Sequence, residues 1–210
     1  MIKILIADDH TLVRKGLKQI LLDTKDIGRV DEARDGKQTL NKVSRQKYDL
    51  VLLDISLPGR SGIDVLKQLK CSKPELPVLI LSMHPEEQYA VRSLRAGASG
   101  YLTKESAPDE LIDAIRKVAG GGKYITSSLA EKLAGEIGPD AEKPLHEILS
   151  DREYQVMCLI ASGKTVKDVA EALNLSVKTI STHRARILRK MRMDNNAQLT
   201  HYAIKNNLVV

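Results

Sequence analysis

The 210-residue chain contains no phenylalanine and no tryptophan, and only six tyrosines. Leucine, isoleucine and valine must therefore fill nearly all of its core. Recognition of nucleic acid by stacking bases on aromatic rings, as single-strand and RNA-reading modules do, is disfavoured. Its two cysteines, Cys71 and Cys158, lie far apart and outside any C-x-x-C, which argues against a disulfide framework or a thiolate metal site. No apolar run approaches the roughly 18 residues of a membrane span. Met1-Ile2-Lys3-Ile4-Leu5 leads into a strand instead of a signal peptide, so a cytoplasmic protein with no membrane partner is expected.

What is present suits a globular protein of two domains: 42% hydrophobic residues and a formal charge of +6. The charge is uneven. Residues 150–210 carry ten basic and five acidic side chains, whereas residues 120–149 carry three and five. A compact basic unit at the carboxyl end points to a polyanionic partner.

Four apolar runs each end on a polar residue of a different kind: ILIA before Asp8 and Asp9, DLVLL before Asp54, VLIL before Ser82, and GYLT before Lys104. Short apolar runs read as buried parallel strands, and such sheets place their chemistry at the strands' carboxyl ends. Strands are predicted over Ile2–Ala7, Arg29–Ala33, Asp49–Leu53, Pro77–Leu81 and Ala98–Thr103. Helices are predicted over Leu12–Leu22, Lys37–Arg45, Gly62–Lys70, Pro85–Arg95 and Pro108–Ala119. Five βα units imply an α/β domain: a flavodoxin-like, doubly wound parallel sheet over residues 1–120. Residues 121–147 read as a linker with a helical stretch, Ser127–Ile137. Residues 148–210 read as a small all-α domain of four helices, Ser150–Ala161, Val166–Leu173, Val177–Met191 and Ala197–Asn206, with Gly163 and Asn174 as stops.

Any one of the strand-end residues alone is more often a helix cap or turn residue than a ligand. Five at the ends of four strands are another matter. Carboxylates crowded together repel, and a hard cation relieves the repulsion. Mg2+ is the natural candidate, held by Asp8, Asp9 and Asp54, because it takes oxygen ligands and is often shared with phosphate oxygens. Lys104 and Ser82 complete a cradle for a phosphoryl group, and a carboxylate that accepts one becomes an aspartyl phosphate.

Between Lys178 and Arg192 stand six basic residues and no acidic one. At 100° per residue Ile180, Ile187 and Met191 form one stripe with Val177 close by. Lys178, Thr182, Ala185 and Arg189 form the opposite stripe, with Arg186 beside it. One face packs, and the other offers cations around small residues, which suits a DNA major groove. A solvated basic face is the competing reading. Upstream, Val166–Leu173, then Asn174-Leu175-Ser176, then Val177 reads as helix, turn and helix, with Ser176 as N-cap.

The pattern ILIADDH, LVLLDISLPGRSG, VLILS and GYLTK resembles the receiver domain of two-component response regulators across residues 2–119. The stretch LSDREYQVMCLIASGKTVKDVAEALNLSVKTISTHRARILRKM resembles the LuxR-type helix-turn-helix, and the pair is similar to the NarL/FixJ subfamily. The resemblance implies that Asp54 is the phosphoacceptor. Asp8 and Asp9 hold Mg2+, for which Mn2+ can substitute, with Asp54 and the backbone carbonyl of Ser56. Ser82 is the switch hydroxyl, Tyr101 the switch aromatic, and Lys104 the phosphate-binding lysine. Ser56 and His84 overlook the phosphoryl group and tune its lifetime. In the second domain Glu153 is a scaffold residue, and Thr165, Val166 and Lys167 lie near phosphates. The recognition helix offers Lys178, Ser181, Thr182, Ala185, Arg186 and Arg189 to promoter DNA. A sensor histidine kinase as donor and a homodimer on paired half-sites complete the expectation. An enzyme using Asp54 as nucleophile remains an alternative, although haloacid-dehalogenase-type enzymes want a second Asp where Ser56 stands. A phosphate-responsive adaptor with a basic protein- or RNA-binding domain is the other.

Overall fold

The computed structural model describes residues 1–135 and 144–209; the end of the helix predicted over Ser127–Ile137 lies outside them. The chain divides into two compact units, Met1–Leu133 and Ala134–Val210.

In the first unit, strands β1 (Ile2–Ala7), β2 (Ile27–Ala33), β3 (Leu50–Leu53), β4 (Val78–Ser82) and β5 (Gly100–Thr103) alternate with helices α1 (Thr11–Leu22), α2 (Gly36–Arg45), α3 (Gly62–Ser72), α4 (Glu86–Arg95) and α5 (Pro108–Ala119). All pairings are parallel in the order β2-β1-β3-β4-β5. This is the flavodoxin-like arrangement. The strand order reverses between β1 and β3, with successive strands added on opposite sides, which opens a crevice at their carboxyl ends.

Side chains alternate between the sheet's faces. Ile4, Ile6, Leu50, Leu52, Leu79, Leu81 and Leu102 form one cluster with Leu21 of α1 and Leu111, Ala114, Ile115 and Val118 of α5. With no phenylalanine available, the largest fully buried side chains are Tyr89 and Tyr101. Residues beyond α5 remain attached to this unit. Tyr124 bridges to Gly100 beside β5 and donates to Glu110 at 2.9 Å, and helix α6 (Ser127–Gly135) follows.

Gly62 sits at the start of α3, where its N–H donates to the Ile55 carbonyl at 2.8 Å. An added Cβ there would overlap the Asp54 backbone carbonyl oxygen. Absence of a side chain at Gly62 therefore lets α3 close against the loop that carries Asp54.

The second unit has a short 3-10 turn, Leu145–Ile148, that sequence patterning missed. Helices α7 (Asp151–Ala161), α8 (Val166–Ala172), α9 (Val177–Met191) and α10 (Asn196–Lys205) follow. Helix α7 packs on α9 and α10, and α8 on α9. Between α8 and α9 the chain turns through Asn174 at φ 51°, a left-handed conformation that asparagine tolerates. Ser176 then accepts from the Thr179 N–H at 3.1 Å and caps α9.

Helix α7 begins with a capping box. The buried Glu153 carboxylate accepts from the Ser150 N–H at 2.9 Å and from Lys190 Nζ at 2.6 Å. Burial pushes the Glu153 carboxyl up, but Lys190 and Ser150 outweigh it and hold it below its ordinary value. A depressed acid contributes stability above its unfolded value of 4.5, and that stability is lost as pH falls through the folded value. Glu153→Ala removes both the cap and the partner of Lys190. It should cost about 2 kcal/mol at pH 7, read by urea unfolding followed by far-ultraviolet circular dichroism. The difference from wild type should shrink below pH 4.5.

Candidate functional site

Asp8 follows β1, Asp54 follows β3, Ser82 ends β4 and Lys104 follows β5. The register that pairs Ala7 with Leu53 sets Asp8 beside Asp54 in the crevice. Backbone bonds lock this geometry, with Asp54 N–H donating to Ala7 and Lys104 N–H to the Ser82 carbonyl. Asp8, Asp54 and Ser82 are buried, whereas Asp9 is half-buried.

Lys104 ties the crevice together: its Nζ lies 2.6 Å from Asp8 Oδ2 and 2.7 Å from Asp54 Oδ2. Burial disfavours the ammonium, but the two carboxylates outweigh it and hold Lys104 protonated, above its ordinary value. Burial pushes the Asp54 carboxyl up and Asp8 adds to this, with Lys104 and the Ser56 N–H offsetting only part. The Ser56 N–H donates to Asp54 Oδ1 at 3.1 Å. Among the described residues no hydrogen bond reaches the Ser56 carbonyl.

Ligand-type atoms of Asp8, Asp9, His10 and Asp54 all lie within 4.8 Å of one another. Asp9 Oδ1 is shielded from solvent and has no hydrogen-bond partner. The His10 ring nitrogen Nδ1 stands 2.9 Å away. A crowded carboxylate set with an orphaned oxygen fits a hard divalent cation. Nothing in the sequence separates His10 from a loop histidine.

Ser82 Oγ accepts from the His84 N–H at 3.1 Å. Tyr101 is buried on β5, and its hydroxyl donates to the His84 carbonyl at 2.8 Å. Both predicted switch residues thus meet at one point of the β4–α4 loop. The imidazole of His84 reaches back to Ser56, with Nε2 3.3 Å from Oγ.

On the second unit, Ile180, Ile187 and Met191 are buried as predicted, while Lys178, Ser181, Thr182, Ala185, Arg186 and Arg189 are exposed along α9. Val177 departs from the reading. It is 51% exposed at the first position of α9. Two of the six basic residues are also engaged: Lys190 with Glu153, and Arg184 Nε with Asn196 Oδ1 at 2.7 Å. Thr165 caps α8 and pairs with Asp168, leaving Lys167 exposed and Val166 half-buried beside it.

Ser176, Lys178, Thr179, Thr182, His183 and Arg186 line a concavity of about 330 Å³ on this face. His183 escaped the sequence reading. Burial lowers its pKa, and Arg152 and Arg186 add to this against the opposing pull of Glu153, which keeps the imidazole neutral near pH 7.

Residues 4–116 match the response regulator receiver domain, more than half the chain, and residues 147–203 match the bacterial regulatory proteins of the luxR family. The chain belongs to the response regulators. Similar proteins include the response regulator UvrY of Escherichia coli K12, 37% identical over 209 residues covering 99% of this chain and 96% of that one. The oxygen regulatory protein NreC of Staphylococcus carnosus is 38% identical over 214 residues, covering 99% of each. Among solved structures, RcsB from Salmonella enterica serovar Typhimurium, bound to promoter rprA with phosphomimetic BeF3-, aligns with TM-score 0.64. It is 27% identical and covers 96% of this chain and 98% of that one. This response regulator is a phosphorylation-controlled, DNA-binding transcription regulator of the NarL/FixJ type, served by a histidine kinase. The receiver match argues against the reading as a phosphohydrolase, and the luxR-type match against the reading as an RNA or protein adaptor.

Proposed function

We propose that Asp54 is the residue that accepts the phosphoryl group, and that residues 1–120 form the receiver, 121–147 the linker and 148–210 the DNA-binding domain. The observation that carries this is the Lys104 ammonium bridging Asp8 and Asp54 at 2.6 and 2.7 Å. An oxygen of Asp54 bonds to phosphorus as the donor's P–N bond, in a kinase phosphohistidine, or P–O bond, in a small acyl phosphate, breaks. Asp8, Asp9, Asp54 and the Ser56 carbonyl hold Mg2+ or Mn2+, which offsets the gathered negative charge when bound. Lys104 follows the new phosphoryl oxygens, and Ser82 turns its hydroxyl toward them and releases the His84 N–H. Because Tyr101 holds the carbonyl of that same residue, the movement reaches the surface around α4 and β5. Ser56 and His84 stand over the site and set how readily water removes the group.

The exposed residues of α9, with Thr165, Val166 and Lys167, contact promoter DNA: Lys178, Arg186 and Arg189 hold phosphates or guanine, while Ser181, Thr182 and Ala185 approach bases. A dimer on paired half-sites adds affinity that one small domain lacks. Arg186→Ala and Arg189→Ala should each reduce the slope of log affinity against log salt by about 1, measured by fluorescence anisotropy on a labelled operator fragment.

Incubation of the full-length protein with acetyl phosphate and Mg2+ tests the receiver site. The expected result is about one base-labile phosphoryl group per chain. Continuous release of inorganic phosphate over many turns, with no labelled protein, would contradict it.

A further inference from the structure

His10 occupies the N-cap position of α1, with φ −77° and ψ 106°, yet its side chain makes no capping hydrogen bond. Serine, threonine, asparagine and aspartate are the usual residues there, because a short side chain can reach the free N–H groups of the first turn. The imidazole turns the other way. Its Nδ1 lies 2.9 Å from Asp9 Oδ1 and 3.3 Å from Asp8 Oδ1. The turn that aims it is held on both sides: the His10 N–H donates to Asp8 Oδ1 at 2.7 Å, and Arg14 donates to the Asp8 carbonyl at 2.8 Å.

The imidazole does not satisfy the carboxylate it faces, since Asp9 Oδ1 is shielded from water and still lacks a hydrogen-bond partner. An acceptor oxygen and a ring nitrogen facing each other at this distance can both be satisfied by one cation between them. The dimensions allow it. Two ligands on one ion, each about 2.1 Å from it, sit at most about 4.2 Å apart. The set of Asp8, Asp9, His10 and Asp54 spans no more than 4.8 Å and closes on a single ion with small shifts. At 57% side-chain exposure the His10 ring has room to make them.

We propose that His10 Nδ1 is a ligand of the divalent cation held by the aspartates, so that the site favours a first-row transition ion such as Mn2+ over Mg2+. This rests on the proposed reading of Asp8, Asp9 and Asp54 as a metal site. Oxygen-only ligand sets suit Mg2+, whereas an imidazole nitrogen adds affinity along the Mn2+ to Cu2+ series and little for Mg2+. His10 thereby sets which ion resides in the receiver, a property separate from whether Asp54 is phosphorylated.

Pulsed electron paramagnetic resonance of the Mn2+-loaded full-length protein tests the assignment, together with calorimetric titration of Mn2+ and Mg2+. The expected result is nitrogen-14 modulation of the Mn2+ echo in wild type and its loss in His10→Gln, with the ratio of Mn2+ to Mg2+ affinity falling about tenfold. His10→Asn should behave alike. Bound Mn2+ without nitrogen coupling in wild type, or coupling that persists in His10→Gln, would overturn the inference while leaving the aspartate site intact. Failure of wild type to bind either ion would overturn the metal site and this inference with it.

Discussion

Asp54→Ala should abolish phosphoryl uptake, with labelling by acetyl phosphate falling at least about 100-fold, to background, and DNA affinity no longer responding to the donor. On the proposed reading the neighbouring carboxylates serve the cation and do not take over. Asp8 shares the Lys104 ammonium with Asp54 and accepts from the His10 N–H, and Asp9 lies against the His10 ring. Asp54, which follows the central strand β3, has one oxygen on the Lys104 ammonium and the other on the Ser56 N–H, so both its oxygens are oriented before a donor arrives. Labelling of Asp54→Ala near the wild-type level, mapped by mass spectrometry to Asp8 or Asp9, would move the acceptor.

Gly62→Ala is the second large effect, and it acts on the fold first. The new methyl would overlap the Asp54 carbonyl oxygen and lie 2.7 Å from Ile55 Cα, both backbone atoms that cannot rotate away. Either α3 lifts from the loop, breaking the bond from Gly62 N–H to the Ile55 carbonyl, or the loop carrying Asp54 is displaced. The expected cost is about 3 kcal/mol, measured by urea unfolding, with phosphoryl uptake reduced in whatever remains folded. Unchanged stability would mean that the approach of α3 to Asp54 is looser than described.

Much of this was readable from the residues. The apolar runs ending at Asp8, Asp54, Ser82 and Lys104 locate β1, β3, β4 and β5 because buried parallel strands carry continuous hydrophobic runs. Strand β2 begins at Ile27, two residues before the predicted Arg29. It lies at the sheet edge with exposed Gly28 and Arg29, so its pattern is diluted. The packing stripe of α9 was legible because 3.6-residue spacing selects Ile180, Ile187 and Met191. What escaped depends on tertiary partners. Lys190 and Arg184 are merely two of the helix's six basic residues in the sequence; only the fold puts Glu153 2.6 Å from the first and Asn196 2.7 Å from the second. His10 looks like a loop residue until the turn before α1 aims it at two carboxylates.

The most direct measurement is the affinity of the full-length protein for its operator, with and without acetyl phosphate and Mg2+, beside Asp54→Ala under the same conditions. A phosphate-operated switch should give wild-type binding that tightens at least about tenfold on phosphorylation, and an Asp54→Ala protein fixed at the resting value. Equal affinities for phosphorylated wild type, resting wild type and Asp54→Ala would contradict it, since the crevice would then hold a phosphoryl group that nothing at α9 reads.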